Sequence, residues 1–424
     1  MLSFNINPVR LIRGLSLSME LVVDGLNTHH WRVAAICQSL AGTMGLPLPE
    51  KQTLFMAALL HDIGAASDFN ERRRLLGSGL PPPAKGQVFA HAEEGSRVLQ
   101  TCDVFRHLAE AVRHHHDHWA GGNPTGAAGE TIPLAGRIIH LADSLEIKID
   151  KQRPILEQRG ELGRFFQERA GREYDPAVAE ALLQTARKDS FWLDLVNPGY
   201  ADILFEEMAA WSLTHYQARD MLHIAEVFAK IIDRTSAFTA HHSRRVSKVA
   251  TLLAGQCGFC ESELVMMETA GLLHDLGKLT IPNAILEKPG RLTPEETQVM
   301  RQHTYHTYRI LQLVGQMDAV AQWGAFHHET LDGEGYPFRL KGRCLPLGSR
   351  IIAVADIFAA LAENRPYRES LKRADIEKIM LDMAGRGKID PRLVDMMLDI
   401  YPQACETIPG AADYADCNRP DQVR

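Results

Sequence analysis

The sequence has little of what marks three large classes of protein: paired cysteines, excess positive charge and long apolar segments. Its seven cysteines show no disulfide-framework spacing, and the one close pair, Cys257 and Cys260, is interpreted as two free thiols, typical of a reducing compartment. The formal net charge of -7 excludes a general nucleic-acid or membrane-surface binder, which needs a basic face. No run approaches the ~18 apolar residues of a membrane helix, and no signal-peptide core is present. We therefore expect a cytoplasmic protein without a membrane or duplex nucleic-acid partner.

Apolar residues recur at helical spacing through most of the chain. Segments such as ARDMLHIAEVFAKIIDR place them three and four positions apart, while strand-like alternation is scarce. The segment IIAVADIFAAL (351–361) starts like a buried strand, but its continuation in alanine and leucine favours a buried helix. The chain has 424 residues, enough for two or three domains. The sequence therefore predicts an all-α protein built from helical bundles.

A short motif in the first half of the chain is repeated in the second half. ALLHDIGA stands at 58–65 and GLLHDLGK at 271–278, so that Ala65 in the first copy corresponds to Lys278 in the second. Further histidines and aspartates repeat at an offset of 212 or 213. The first set is His29, His61, Asp62, His91, His115, His116 and Asp143; the second is His242, His274, Asp275, His303, His327, His328 and Asp356. We interpret this register as an internal duplication, with domains at 1–205 and 206–405 and a tail at 406–424.

Each half therefore carries imidazoles and carboxylates from well-separated segments. A single histidine on an apolar helix face is usually a core residue, but seven such groups would each cost ~1–3 kcal/mol if buried unpaired. Adjacent helical residues point about 100° apart, so His274 and Asp275 can reach two metal ions, and His327 with His328 repeats this on another helix. Mixed imidazole and carboxylate ligands suit Fe or Mn, with Zn or Ni also compatible. Two metals ~3.5–4 Å apart form a known clamp for phosphoester hydrolysis.

The second half also offers groups that could hold a phosphate ester. Lys278 follows Asp275 by three residues, where its ammonium could hold a scissile phosphate oxygen. The stretch ETLDGEGYPFRLKG follows the two histidines directly, and its glycines permit close backbone approach. Arg365 and Arg368, in NRPYRES, are either guanidinium forks for phosphate or a guanine edge, or two solvated side chains.

These motifs together resemble the HD-GYP family of cyclic-dinucleotide phosphodiesterases. The resemblance is carried by GLLHDLGKLTIP, HHETLDGEGYPFRLKG, RIIAVADIF and NRPYR, and spans roughly residues 217–405. It implies a helical bundle, an iron or manganese site, and hydrolysis of cyclic di-GMP or 3′,3′-cyclic GMP-AMP. It also implies site residues. These are the second set above as metal ligands, Lys278 and Asp275 as catalytic residues, and Gly335, Tyr336, Pro337, Arg365, Arg368 and again Lys278 as substrate contacts.

Two positions depart from the family pattern. Members with a third metal carry glutamate four residues before the first histidine, where this chain has Phe238. We therefore expect two Fe or Mn ions in the C-terminal domain. The family usually has aspartate three residues after the last ligand, where this chain has Ala359. We therefore expect one supporting carboxylate to be missing from the site.

The first half resembles a plain HD domain. It keeps a full ligand set and is a candidate for further metal, but Ala65 replaces the lysine and HHDHWAGGNPTG replaces the GYP loop. Arg153, in QRPI, matches Arg365, and the second arginine has no counterpart. We expect this domain to be regulatory or structural.

The leading hypothesis is a metal-dependent cyclic-dinucleotide phosphodiesterase. One alternative is a metal-bearing cyclic-dinucleotide receptor with little turnover, which Ala359 favours. Another is an HD-type nucleotide phosphohydrolase, in which the GYP loop would have no role.

Overall fold

Helices dominate the described part of the chain. The computed structural model describes residues 3–4, 6–20, 28–66, 68, 85–210, 216–234, 242–363 and 370–407. Within them, extended structure is confined to two antiparallel two-residue strands, β1 (Ser3–Phe4) and β2 (Tyr216–Gln217), and an isolated bridge between Ala170 and Tyr174. The predicted all-α class is confirmed. Most of the predicted tail, residues 408–424, lies outside the described residues.

The chain divides into two compact units. The first unit is Asn5–His215, and the second is Tyr216–Arg424 together with Met1–Phe4. The predicted domain limit at residue 205 lies inside a helix, Pro198–Ala210, that ends before the division between the units. The assignment of different roles to the two units stays a proposal.

The first unit contains ten of the described α-helices. They are α1 (Pro8–Glu20), α2 (His29–Thr43), α3 (Leu48–Leu59), α4 (Lys85–Gln100), α5 (Ala109–Arg113), α6 (Leu134–Lys148), α7 (Ile155–Arg169), α8 (Pro176–Thr185), α9 (Asp189–Val196) and α10 (Pro198–Ala210). Short 3₁₀ turns lie at Ile63–Ala65, Arg106–Leu108 and Gly129–Thr131.

The second unit contains another ten described α-helices. They are α11 (Ala218–Arg234), α12 (His242–Gln256), α13 (Glu261–Leu273), α14 (Asn283–Leu286), α15 (Pro294–Val314), α16 (Asp318–Ala325), α17 (Leu347–Ala362), α18 (Arg373–Gly385), α19 (Pro391–Asp399) and α20 (Tyr401–Glu406). Short 3₁₀ turns lie at Leu276–Thr280 and Gly342–Cys344. The helix predicted at 351–361 is confirmed as part of α17.

Local sequence explains where the longest helix of the second unit begins. The Thr293 side chain accepts a hydrogen bond from the backbone N–H of Glu296, and the Glu296 carboxylate accepts one from the Thr293 N–H. This reciprocal pair satisfies two donors that a helix start leaves open. Pro294 follows as the first helical residue, where its missing N–H costs nothing. The cap thus fixes the register of α15, which carries a predicted ligand, His303.

The same helix pairs form the centre of both units. In the first unit α2 packs against α3 and α6; in the second, α12 packs against α13 and α17. Each of these helices carries or directly precedes a predicted ligand. The repeat in sequence is therefore a repeat in packing, and it brings one ligand set to the middle of each unit.

Candidate metal centres

The His-Asp pair of the second unit lies at the end of a helix. Helix α13 ends at Leu273, His274 caps it, and Asp275 leads into the 3₁₀ turn Leu276–Thr280. The expectation that both residues sit within a regular helix is wrong, because the chain tightens at this point. Gly277 explains why: a Cβ there would lie 1.9 Å from the backbone oxygen of His303. Only glycine lets the turn press against α15, which brings His303 to Asp275.

The second histidine pair is placed in the same way. Helix α16 ends at Ala325, and His327 and His328 lie in the turn that follows, not on the predicted helix. Their rings lie 4.1 Å apart between centroids at an angle of 44°. The two rings therefore point in different directions, and His327 and His328 can contact different neighbours in the site.

The seven predicted ligands of the second unit converge, and we call them the C-terminal cluster. Ligand atoms within 4.8 Å of one another form three overlapping groups: His242, His274 and Asp356; His274, Asp275 and His327; and His303, His327 and His328. The two oxygens of Asp275 face different neighbours. Its Oδ2 lies 3.2 Å from His274 Nε2, and its Oδ1 lies 3.4 Å from His303 Nε2. Asp275 therefore joins the neighbouring histidine groups through its two oxygens.

Three histidines of the C-terminal cluster are held in the tautomer that a metal requires. Their Nδ1 atoms lie at hydrogen-bond distance from backbone oxygens: His274 from Gly271 at 2.8 Å, His303 from Met300 at 2.7 Å, and His327 from Gly324 at 2.6 Å. A carbonyl only accepts, so each Nδ1 donates and each Nε2 keeps its lone pair.

These Nε2 atoms and Asp275 Oδ1 are buried and have no hydrogen-bond partner within the described residues. Each such orphan costs about 1–3 kcal/mol, and one metal ion would satisfy several at once. The donor set therefore fits a metal centre.

Electrostatics favour the metal-binding protonation states of His303, His327 and Asp275. Burial lowers the pKa of His303 to about 3, and burial together with His328 lowers the pKa of His327 well below its usual value. Burial opposes ionisation of Asp275, but His274 and Lys278 hold its pKa well below the usual range. Neutral imidazoles around an ionised carboxylate are what a divalent cation binds.

A carboxylate supports the first histidine of this cluster, although the sequence suggested that one was missing. His242 Nδ1 lies 3.2 Å from Glu363 Oε1, and its Nε2 lies 3.1 Å from Asp356 Oδ1. Glu363 also pairs with Arg245 at 3.4 Å. Against the effect of burial, Asp356 and Glu363 raise the pKa of His242 to about 10. Glu363 therefore gives His242 a buried carboxylate partner that the sequence pattern did not predict.

The first unit repeats the arrangement. Its predicted ligands, His29, His61, Asp62, His91, His115, His116 and Asp143, converge together with His30, and we call these eight residues the N-terminal cluster. Asp62 again faces both ways, with Oδ2 3.3 Å from His61 Nε2 and Oδ1 3.3 Å from His91 Nε2. The turn is again pressed against a helix through a glycine, because a Cβ at Gly64 would lie 1.9 Å from His91 O.

His30 is an additional candidate ligand that the sequence reasoning missed. Its Nε2 lies 3.6 Å from Asp62 Oδ2, and its Nδ1 lies 3.1 Å from the Ser16 hydroxyl. Its counterpart in the second unit is Ser243, whose hydroxyl donates to Asp233 at 2.7 Å. A comparison of the two copies at the offset of 213 would have revealed this difference, because His30 and Ser243 are 213 positions apart.

Lys278 lies at the edge of the C-terminal cluster. Its ammonium is 2.5 Å from Asp275 Oδ2, and 20% of its side chain is exposed. A charged donor so close to Asp275 can also reach an anion bound beside this carboxylate. At the matching position of the N-terminal cluster, Ala65 is buried and offers no charge.

The loop predicted to face the substrate is fixed to the second histidine pair. Buried Glu329 accepts hydrogen bonds from the backbone N–H groups of Phe338 at 2.6 Å and Leu340 at 2.9 Å. At Gly335 a Cβ would lie 2.5 Å from both the Cα of Glu329 and the N of Thr330, so only glycine fits. The loop therefore folds back tightly over the chain that carries His328.

Tyr336 forms one wall beside the cluster. Its ring lies 5.0 Å from that of His328, and the guanidinium of Arg301 lies 4.9 Å from its centroid. Pro337 follows in a cis peptide bond. The predicted loop residues are thus next to the metal ligands. Arg365, Arg368 and Phe238 lie outside the described residues, so their roles stay predictions.

The comparisons with known proteins agree with this architecture. The family model described as HD domain matches residues 16–178 and 226–393, one segment in each unit. In structure, the chain resembles the cyclic GMP-AMP specific phosphodiesterase V-cGAP3 of V. cholerae, with a TM-score of 0.66 at 24% identity, covering 96% of this chain and 99% of that one. This likeness shows the fold.

Several relatives share much of the sequence. The 3′3′-cGAMP-specific phosphodiesterase 1 of Vibrio cholerae serotype O1 is 29% identical over 94% of this chain and 92% of its own length. The 3′3′-cGAMP-specific phosphodiesterase 3 of the same organism is 27% identical over 95% and 97%. The cyclic di-GMP phosphodiesterase response regulator RpfG of Xanthomonas campestris pv. campestris is 42% identical over 40% and 45%.

The resemblance found from the sequence motifs is confirmed by these relatives. The two family segments together span well over half of the chain and contain both clusters. The chain belongs to the HD domain family.

Proposed function

We propose that the second unit hydrolyses cyclic dinucleotides to linear products, with 3′,3′-cyclic GMP-AMP as the preferred substrate. The observation that carries the proposal is the C-terminal cluster with its orphaned Nε2 atoms, next to Lys278 and the loop around Tyr336. The preference rests on the two relatives that match over more than nine-tenths of this chain, both named as 3′3′-cGAMP-specific.

The C-terminal cluster would hold two ions of Fe or Mn. Asp275 would bridge them, with His242, His274 and Asp356 on one side and His303, His327 and His328 on the other. When bound, the metal would polarise the phosphodiester and activate the attacking water.

The chain's own residues would bind and orient the substrate. Lys278 would hold a non-bridging phosphate oxygen and offset the charge that develops on it. Tyr336 presents an aromatic face beside the cluster, and Arg301 stands over that ring as a further cation. Arg365 and Arg368 remain proposed contacts to phosphate or to a guanine edge. The cations and the aromatic face at this site support the proposal of a doubly charged nucleotide substrate.

We propose that the first unit binds metal but does not cleave cyclic dinucleotides. Asp62 faces two histidine groups as Asp275 does, and His30 adds an imidazole that the second unit lacks. With Ala65 in place of the lysine, this position offers no cation that would hold the phosphate. The N-terminal cluster is therefore assigned a regulatory or structural role.

The test is a panel of substrates given to the full chain with Mn²⁺ or Fe²⁺. The panel contains 3′,3′-cyclic GMP-AMP, cyclic di-GMP and nucleoside monophosphates, with products separated by chromatography. We expect linear dinucleotide from both cyclic substrates and faster turnover of cyclic GMP-AMP. Binding without product would favour a receptor, and dephosphorylation of the monophosphates alone would favour a nucleotide phosphohydrolase.

No helix among the described residues is long and apolar enough to cross a membrane. The cytoplasmic location stays a prediction.

A further inference from the structure

The first histidine of each cluster is held by the same trio of groups. In the first unit, His29 Nδ1 lies 2.7 Å from Glu146 Oε2, and Arg32 pairs with the other oxygen of Glu146 at 3.3 Å. Glu146 lies on α6, one helical turn after the ligand Asp143. All three groups of the trio are largely buried, with side-chain exposures of 2% for His29, 2% for Glu146 and 14% for Arg32.

In the second unit the histidine and the arginine keep their places, but the carboxylate does not. His242 and Arg245 stand 213 positions after His29 and Arg32, whereas the position that matches Glu146 is Ala359. Glu363 takes over both contacts, 3.2 Å to His242 Nδ1 and 3.4 Å to Arg245. Two units with the same trio therefore build it from different positions of the chain.

The geometry of α17 explains how Glu363 reaches the histidine. Seven residues separate it from Asp356, close to two helical turns, which leaves both side chains on one side of α17. The helix ends at Ala362, and the N–H of Glu363 donates to Ala359 O at 3.0 Å. The side chain is 2% exposed, and Asp356 contacts the opposite nitrogen of the same ring.

We infer that Glu363 is the positioning residue of the C-terminal metal centre and replaces the carboxylate lost at Ala359. Its carboxylate accepts the Nδ1–H of His242, so that Nε2, which faces Asp356, is the nitrogen from which a metal ion would displace the proton. Arg245 compensates the buried charge of Glu363. The inference rests on the proposed metal-dependent function of this cluster, and it explains why the alanine at 359 is compatible with an intact site.

A purely structural role is the competing explanation. In that case Glu363 would serve mainly as the buried partner of Arg245, and removing either residue would reduce metal retention equally. The two explanations differ in what loss of Arg245 does, because it removes one partner of Glu363 but leaves the contact to His242. A glutamate at 359, at the position that Glu146 occupies in the first unit, tests whether a carboxylate supplied from that position supports metal retention.

The experiment measures metal retention against a competing chelator, with Mn²⁺ as the probe and elemental analysis as the readout. Every variant is made in a full chain that also carries Asp62→Ala, so that metal in the N-terminal cluster does not mask a loss from the C-terminal cluster. The variants are Glu363→Ala, Glu363→Gln, Arg245→Ala and the relocation variant Ala359→Glu/Glu363→Ala. Thermal unfolding of each variant controls for folding. We expect Glu363→Ala to weaken retention about 10–100-fold, the usual effect of losing such a partner. Glu363→Gln and Arg245→Ala should each lose less metal than Glu363→Ala. The relocation variant should recover most of the metal retention that Glu363→Ala loses.

Three results would overturn the inference while leaving the proposed function standing. They are unchanged retention in Glu363→Ala, a relocation variant that folds but binds no tighter than Glu363→Ala, or an Arg245→Ala loss equal to that of Glu363→Ala. A wild-type chain that retains no Mn²⁺ would overturn both.

Discussion

Replacing Lys278 with alanine should slow hydrolysis without emptying the metal centre. The ammonium of Lys278 lies 2.5 Å from Asp275 Oδ2, but the metal-facing Nε2 atoms belong to histidines that it does not contact. Loss of one charged donor to a developing oxyanion typically costs about 2.7–4 kcal/mol, or roughly 10²–10³ in rate. Because 20% of the side chain is exposed, we expect the lower end, about 10² in kcat/KM.

The assay compares kcat/KM for 3′,3′-cyclic GMP-AMP with metal content measured on the same sample. Lys288→Ala is the matched control, because its ammonium makes a similar ion pair, 2.6 Å to Glu296, away from the C-terminal cluster. An unchanged kcat/KM in Lys278→Ala would refute the assigned contact. A loss of metal as large as that of a ligand variant would show that the lysine supports the centre itself.

Three further predictions follow from the same geometry. His274→Ala combined with Asp275→Ala should remove metal from the second unit and abolish hydrolysis, since it deletes the bridging carboxylate; wild-type turnover in this variant would move the site elsewhere. Gly335→Ala should lower kcat/KM at unchanged metal content, because its Cβ would lie 2.5 Å from the backbone of Glu329 and Thr330. Gly160→Ala is the control, because a Cβ at Gly160 would meet open space. Equal kcat/KM in the two variants would contradict a role for the loop. In the first unit, burial raises the pKa of Glu20 from 4.5 to about 8, so the folded state holds a proton that the unfolded chain releases. The free energy of unfolding should therefore fall as pH rises from about 4.5 to about 8, by on the order of 5 kcal/mol. Calorimetry of Glu20→Gln over this range should show a flatter dependence on pH, and an equally steep slope would disprove the assignment.

Both sets of converging residues could be predicted from sequence because the two halves of the chain can be aligned with each other. His29 and His242, or Asp143 and Asp356, differ in their surroundings but keep one offset, which singles out the polar groups that converge in the structure. The helical class followed equally well from the three- and four-residue spacing of apolar side chains.

The partners of those ligands could not be predicted in the same way. Glu363 compensates for Ala359 only because α17 ends at Ala362 and turns its next residue back toward His242. The placement of His274 after the end of α13 depends on the close approach at Gly277, which a helical pattern does not reveal. Such contacts are set by the path of the chain at helix ends, where periodicity carries little information.

Disabling one cluster at a time shows whether the two clusters have different roles. Cleavage of 3′,3′-cyclic GMP-AMP is followed in the full chain with either cluster disabled, using Asp62→Ala for the first unit and Asp275→Ala for the second. We predict that Asp275→Ala abolishes the linear product and that Asp62→Ala still forms it. Product formation by Asp275→Ala that disappears in Asp62→Ala would instead place hydrolysis in the first unit.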